Sequence, residues 1–263
     1  KLPEHLIIIG GGPVGIELGQ AYSNLGSKVS ILDSGEVLNK IDQEIREMLI
    51  AELSLAGISF YENVSLSEVK LDRSGQIQIS YNNSNIIAGS HLLIATGRRA
   101  NLKSMGLNEA GIKYSEFGVH VNQQLRTSNK RVYAAGDVIG KNMYTHGASF
   151  EAGIIIRNIL FKMNAKITKN IPETIYTYPE YAAIGVKERD RDLKNHKINI
   201  LRWPLFENDR ARADNENIGM IKIIIGKKGR VLGVQILSPH AADLIVPWIL
   251  AVNKKINLST MAN

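Results

Sequence analysis

Gly10, Gly12 and Gly15 stand in the spacing G-x-G-x-x-G, and an acid, Asp33, follows about 20 residues further on. Glycine at the first position allows a tight turn, at the second lets a backbone approach a pyrophosphate, and at the third lets a helix close on a strand. Gly10-Gly11-Gly12-Pro13-Val14-Gly15 is thus a candidate anion-binding turn, with the following helix turning its positive end toward the phosphates. Asp33 is placed to accept hydrogen bonds from a ribose 2′-hydroxyl. An unpaired carboxylate about 4 Å from a 2′-phosphate costs about 4 kcal/mol at an effective dielectric near 20, so NAD(H) is favoured over NADP(H). No arginine lies between Ser34 and Lys40 to hold such a phosphate, although Lys28 and Lys40 are nearby in sequence. The competing reading is a glycine-rich turn of an unrelated α/β protein, with Asp33 an ordinary strand-end acid.

The glycines need a strand before them and a helix after them. Leu6 to Ile9 is an unbroken aliphatic run, Pro13 to Leu25 reads as a helix with Gly19 extending its small face, and Val29 to Leu32 reads as the next strand. Asp42 is placed to cap a second helix that carries Ile45, Met48, Leu49 and Leu53 at helical spacing and ends at Gly57, before a strand at Ile58 to Tyr61. Val69 to Ile87 alternates with breaks at Ser74-Gly75 and Asn82-Asn83, which predicts an antiparallel meander on the parallel sheet, and His91 to Ala95 returns to a buried strand.

Past Gly97 the pattern predicts short strands at Val119 to Val121 and Val132 to Ala134 and a helix from about Ala148 to Phe161. Strands at Thr174 to Tyr178 and Ile198 to Trp203, a hairpin of Met220 to Ile225 with Val231 to Leu237, and a last helix from Ala241 to Lys254 describe an α+β domain. The expected division is a Rossmann-type dinucleotide domain over residues 1–96, a second segment over 97–167 and the α+β domain over 168–263.

Hydrophobic residues make up 44% of the chain and charged ones 22%, enough for a folded core and unlike a disordered tail. The net charge of +7 is spread among acids, as in Arg189-Asp190-Arg191-Asp192, and the densest basic run, Lys227-Lys228-Gly229-Arg230, falls at a hairpin tip. Nucleic acid is therefore not the expected partner. The longest apolar run, Leu244 to Val252, contains Pro247 and falls far short of the roughly 20 residues a membrane-spanning helix needs. With no cysteine, the chain carries no disulfide, thiol nucleophile or cysteine metal cluster, and no metal is expected. It starts at Lys1 and enters its first strand at once, as if cut from something longer.

Ala95-Thr96-Gly97-Arg98, Thr127 and Val132-Tyr133-Ala134-Ala135-Gly136-Asp137 narrow the reading. With Thr177-Tyr178-Pro179-Glu180, Gly185, Asn208-Asp209-Arg210-Ala211 and the Gly233 strand, the whole chain resembles the pyridine nucleotide-disulfide oxidoreductases, the family of dihydrolipoamide dehydrogenase, glutathione reductase and mercuric reductase. Arg202-Trp203-Pro204 and His240-Ala241-Ala242 lean toward the mercuric-reductase-like branch. The resemblance implies an α/β fold in which residues 97–167 are the second part of an FAD-binding domain and residues 168–263 a dimerisation domain, in a cytoplasmic homodimeric flavoprotein. It implies hydride transfer between NADH and FAD, with electrons passing on to a disulfide or related acceptor in the intact protein.

By the same resemblance Asp137, at the Gly136 turn, accepts hydrogen bonds from the ribityl hydroxyls of FAD, and Thr145 and His146 stand just before a helix whose amino terminus faces the flavin. Glu17 takes the catalytic role of pairing with a lysine near flavin N5, and Val64 and Gly97 line the nicotinamide nucleotide. Ala100 departs from the family's usual proline. The first FAD-binding glycine motif, the redox cysteines and the N5 lysine are expected upstream of Lys1, and the family's histidine and glutamate acid-base pair beyond Asn263. The alternatives are an inactive nucleotide-binding and dimerisation module, and a flavoprotein NADH oxidase or transhydrogenase without a disulfide.

Overall fold

The computed structural model describes residues 1–141, 143–167, 170–188, 190 and 198–262. These fall into two compact units, the first formed by Lys1–Thr96 with Pro172–Asn263 and the second by Gly97–Ile171. Thr168, where the sequence places a boundary, and Arg189, Arg191 and Asp192 of the mixed charge run lie outside the described residues.

In the first unit, β1 (His5–Ile9), β2 (Lys28–Leu32), β3 (Ile58–Tyr61) and β7 (His91–Ile94) form a parallel sheet in the order β3-β2-β1-β7. Helices α1 (Pro13–Asn24) and α2 (Gln43–Leu55) are the crossovers, and their inward residues Ile16, Ile45, Leu49 and Leu53 are fully buried against Ile8 and Ile31. Parallel strands buried on both faces require the continuous aliphatic runs seen in the sequence. The meander of β4 (Leu66–Leu71), β5 (Ile77–Tyr81) and β6 (Asn85–Gly89) covers the opposite face, where Ile79 and Ile87 meet Ile7 and Leu32.

An antiparallel sheet completes this unit, with β10 (Glu173–Ile175), β11 (Glu180–Gly185), β12 (Asn199–Pro204), β13 (Met220–Ile225) and β14 (Val231–Ser238) in the order β10-β11-β14-β13-β12. One face contributes Ile175, Tyr181, Met220 and Leu237 to the core shared with α1 and α2. The other packs Ala182, Val234 and Ile236 against α5 (Ala241–Leu244) and α6 (Val246–Lys254). The second unit holds the small ladder of β8 (Tyr114–Ser115) with β9 (Gly118–Val119), a 3-10 turn at Gly136–Ile139, and α3 (Thr145–Leu160).

Several local expectations change. The strand β11 carries no clear sequence signal because Glu-Tyr-Ala-Ala-Ile-Gly has few β-branched residues; burial on both faces overrides its weak propensity. Val132 to Ala134 makes only an isolated bridge, Arg126 with Tyr133, while Val132 and Ala134 are spent packing against Leu107, Ile112 and Val119. The helix expected to be last is two, because Pro247 has no N–H to continue the ladder and sits in the first turn of α6, and it is not the last, since a short helix at Leu258–Met261 follows. Helix α3 starts at Thr145, so Thr145 and His146 form its first turn rather than precede it. Asp42 occupies the N-cap position of α2, but its carboxylate makes no cap bond, because buried partners from the antiparallel sheet claim it.

Candidate dinucleotide site

The glycine turn lies at the carboxyl end of β1, where Gly10 N–H donates to Leu32 O at 2.8 Å. Three of its glycines are demanded by packing. Gly10 has φ +111° and a Cβ there would lie 2.4 Å from Ala95 O; at Gly11 it would lie 2.6 Å from Val37 Cγ2, and at Gly15 2.0 Å from Gly10 O. Gly12 is different. It has φ −78° and ψ 178°, which any residue adopts, and a Cβ there would meet nothing within 4 Å.

Gly12 is also the N-cap of α1, with Pro13 in the first turn and no side chain capping the helix end. The first amides of this helix therefore form a donor surface beside open space, where the helix dipole favours an anion. Val14 is exposed at the same turn, and Gly15 is buried beneath it.

Asp33 directly follows β2 and is half-buried. It is not the unpaired carboxylate assumed from sequence, since turns on either side aim amides at it: Gly11 N–H donates to Oδ2 at 2.6 Å and Gly35 N–H to Oδ1 at 2.8 Å. A carboxylate offers about four acceptor positions, so two remain for hydroxyl donors, and the bonds already made set its orientation. Leu38 N–H donates to Gly11 O at 2.9 Å, so the loop after β2 holds the glycine turn from both sides of one residue.

The loop after β3 runs alongside. Asn63 N–H donates to Gly35 O and Val64 N–H to Asp33 O, both at 3.0 Å. The Val64 side chain is buried with Ile7, Leu32, Ile79 and Ile87. Glu62 accepts from Val37 N–H at 2.6 Å and pairs with Arg46, whose Nε donates to Val37 O at 2.5 Å. Neither Arg46 nor Glu62 stood out in the sequence, because the pairing joins a helix to a strand-end loop with no spacing rule to reveal it.

Glu17 is half-buried on α1, and its Oε1 accepts from Tyr176 N–H at 2.9 Å. Gln20, one turn on, accepts from Tyr178 N–H at 2.7 Å and donates to Tyr178 O at 2.8 Å. The face of α1 that follows the glycine turn thus anchors the segment between β10 and β11.

A second group unseen in the sequence centres on Lys222 of β13, whose ammonium meets Glu188, Glu44 at 3.2 Å and Asp42 at 3.3 Å. Arg202 pairs with Glu44 at 2.8 Å, and Gln235 holds Asp42 and the Tyr181 hydroxyl. Burial works to lower the Lys222 pKa, but the Glu188 and Glu44 hydrogen bonds and the charges of Asp42 and Glu188 outweigh it and hold the ammonium above its ordinary value. A charged residue at an inward position of the alternating run Met220–Ile225 was the available signal.

In the second unit, Gly97 begins the chain segment with φ +129°, a conformation that requires glycine. Gly136 turns at φ +75° and donates its N–H to buried Glu151 at 2.7 Å, presenting Asp137 at the surface. Burial raises the Glu151 pKa, the Gly136 N–H opposes this, and the Asp137 charge adds to the rise. His146 stacks on Tyr144 at 5.3 Å between ring centres.

A parallel sheet with its glycine turn and strand-end acid, joined to a five-stranded antiparallel sheet, matches two family profiles: pyridine nucleotide-disulphide oxidoreductase over residues 1–152 and the dimerisation domain of the same family over residues 171–263. The chain belongs to the pyridine nucleotide-disulphide oxidoreductase family. It is 31% identical over 258 residues to a dihydrolipoyl dehydrogenase of Geobacillus stearothermophilus, covering 96% of this chain and 55% of that protein. It is 33% identical to a mercuric reductase of Staphylococcus aureus, covering 96% and 47%. LpdA from Mycobacterium tuberculosis superposes with a TM-score of 0.92 at 28% identity, covering all of this chain and 58% of that one. The flavoprotein disulfide reductase RclA from Escherichia coli superposes with a TM-score of 0.91 at 26% identity, covering 98% and 59%. The chain spans about half the length of the curated relatives it matches. Among the described residues no helix is long and apolar enough to cross a membrane.

Proposed function

We propose that this chain provides the nicotinamide-dinucleotide site of an FAD-dependent NAD(P)H oxidoreductase, with NADH favoured over NADPH. In this reading residues 1–96 bind the dinucleotide, 97–167 belong to an FAD-binding domain and 168–263 pair two copies in a cytoplasmic homodimer. Gly12 is the observation that carries it. Local backbone and packing would accept a side chain at that position, whereas Gly10, Gly11 and Gly15 are explained by their neighbours. Open space over the uncapped start of α1 fits a pyrophosphate.

Asp33 holds the adenosine ribose through the acceptor positions left by Gly11 and Gly35, and the turn keeps it aimed before any ligand arrives. Gly10, Gly11, Pro13, Val14 and Gly15 shape the turn, and Val64 and Gly97 belong to the nicotinamide end. Glu17 is the residue assigned to the hydride step, as the charge partner of a lysine; the Tyr176 amide orients its carboxylate.

The second unit suits FAD in its donor and acceptor chemistry. Asp137 is exposed at a left-handed turn that Glu151 pins through Gly136, so the pinned backbone presents a carboxylate acceptor to hydroxyl donors. Thr145 and His146 open α3, whose amino terminus favours negative charge. When bound, FAD supplies the two-electron acceptor for the nicotinamide hydride, and electrons pass on to a disulfide or related acceptor.

Calorimetric titration of NADH into the chain and its Gly12→Ser variant tests the reading. Serine is a favoured N-cap, so the variant folds at least as stably as the parent. The side chain fills the open space, and affinity falls by at least about tenfold, as loss of close approach by the pyrophosphate requires. Unchanged NADH affinity in Gly12→Ser refutes the assignment.

A further inference from the structure

We infer that Glu62 is a specificity-determining residue for the dinucleotide, pairing with Arg46 and so withholding from the ribose loop the cation that a 2′-phosphate would attract. The inference rests on the nucleotide reading above. In sequence, the segment Ser34 to Lys40 has no arginine. In three dimensions it acquires one: Arg46 folds back from α2 and donates to Val37 O at 2.5 Å. Its guanidinium is thereby tied to the loop whose first residues are fixed by Asp33 and Gly35.

Glu62 closes the arrangement. One oxygen, Oε1, accepts from both Arg46 and Val37 N–H, so Glu62 and Arg46 hold the two polar groups of Val37. The Arg46 and Glu62 side chains are only 12% and 29% exposed, so water screens the pair weakly and the carboxylate cancels much of the guanidinium field. Lys187 reaches the far end of the loop at Lys40 O, 2.8 Å away, and it too is paired, with Glu173 at 2.7 Å. Arg46 and Lys187, which both hydrogen-bond to the backbone of this loop, therefore arrive neutralised. Asp33 then sets the sign at the ribose, which is the condition for a 2′-hydroxyl rather than a 2′-phosphate.

Glutamine at position 62 keeps an acceptor for Val37 N–H while removing the charge, which separates electrostatics from loop geometry. NADH and NADPH are titrated calorimetrically into the full chain and into Glu62→Gln, Arg46→Met and the double variant, each checked for folding by circular dichroism. Glu62→Gln should lower the ratio of NADH to NADPH affinity by about threefold or more, an effect that shrinks as salt is raised. Arg46→Met should raise the ratio by exposing Glu62, and the double variant should return it to within about twofold of the parent. Proportional weakening of both nucleotides by Glu62→Gln, with the ratio unchanged, overturns the inference and leaves the nucleotide site standing. If Glu62→Gln does not fold, an unchanged ratio in Arg46→Met overturns it equally. A parent chain that binds neither nucleotide overturns the nucleotide reading itself and the inference with it.

Discussion

Replacing Lys222 by methionine should destabilise the first unit by about 3–5 kcal/mol, the range found when one partner of a buried ion pair is removed. The magnitude follows from which contacts are shielded. Lys222 and Asp42 have side chains 2% and 3% exposed and lie 3.3 Å apart, whereas Glu44 and Glu188 are 36% and 43% exposed. At 3.3 Å and an effective dielectric near 20, the Asp42 attraction is about 5 kcal/mol, opposed by several kcal/mol for burying each ion. The two exposed glutamates relax into water when the lysine goes, and each contributes at most about 1 kcal/mol. Asp42 cannot follow them. Its carboxylate remains under the sheet with Gln235 as a neutral donor, and that stranded charge dominates the loss.

Urea unfolding followed by tryptophan fluorescence measures this directly, because Trp203 and Trp248, the two tryptophans of the chain, both belong to the first unit. A second substitution, Asp42→Asn, should restore part of the stability lost in Lys222→Met, since it removes the stranded charge. A loss below about 1 kcal/mol in Lys222→Met, the size expected of a solvated pair, would refute the reasoning. The sign of the pH dependence is also set. The folded pKa of Lys222 is raised above 10.5, so its contribution is complete below that value and is lost as pH rises through the folded pKa.

Gly15→Ala places a Cβ 2.0 Å from Gly10 O and should cost about 1–3 kcal/mol by overpacking, read as a lowered urea midpoint; unchanged stability would contradict the close packing of α1 on the turn. Asp33→Ser removes a charged acceptor from Gly11, Gly35 and the proposed ribose, and should weaken NADH by about 10- to 100-fold in calorimetry, with NADPH affected less. Glu151→Gln keeps an acceptor for Gly136 N–H and removes an acid whose folded pKa is raised above 4.5. The parent's stability should fall as pH rises from that value through the folded pKa, and the variant should lack this fall; parallel pH profiles of the thermal midpoint would contradict the burial.

Short-range signals carried the parallel half of the first unit. Aliphatic runs at Leu6 to Ile9 and Val29 to Leu32, glycines at fixed spacing and the helical period of Ile45, Leu49 and Leu53 are each local, and β1, β2 and α2 follow them. The strand β11 and the early start of α3 carry no local signal because Glu-Tyr-Ala-Ala-Ile-Gly and Thr145-His146-Gly147 have weak local preference, and burial on both faces holds the strand. The family, too, was legible from ordered motifs such as Ala135-Gly136-Asp137.

What sequence order alone determined was therefore the elements of the parallel half and the glycine and acid types a dinucleotide turn needs. Tertiary structure decided which charges are active. It brought Arg46 onto a loop that has no arginine and cancelled it with Glu62, turned Asp42 from a helix cap into the counter-ion of Lys222, and gave Asp33 two backbone donors. The reason is range. Propensity and periodicity act between residues a few positions apart, whereas a charge is set by whatever the fold places within a few ångströms, and Asp42 and Lys222 come from different ends of the chain.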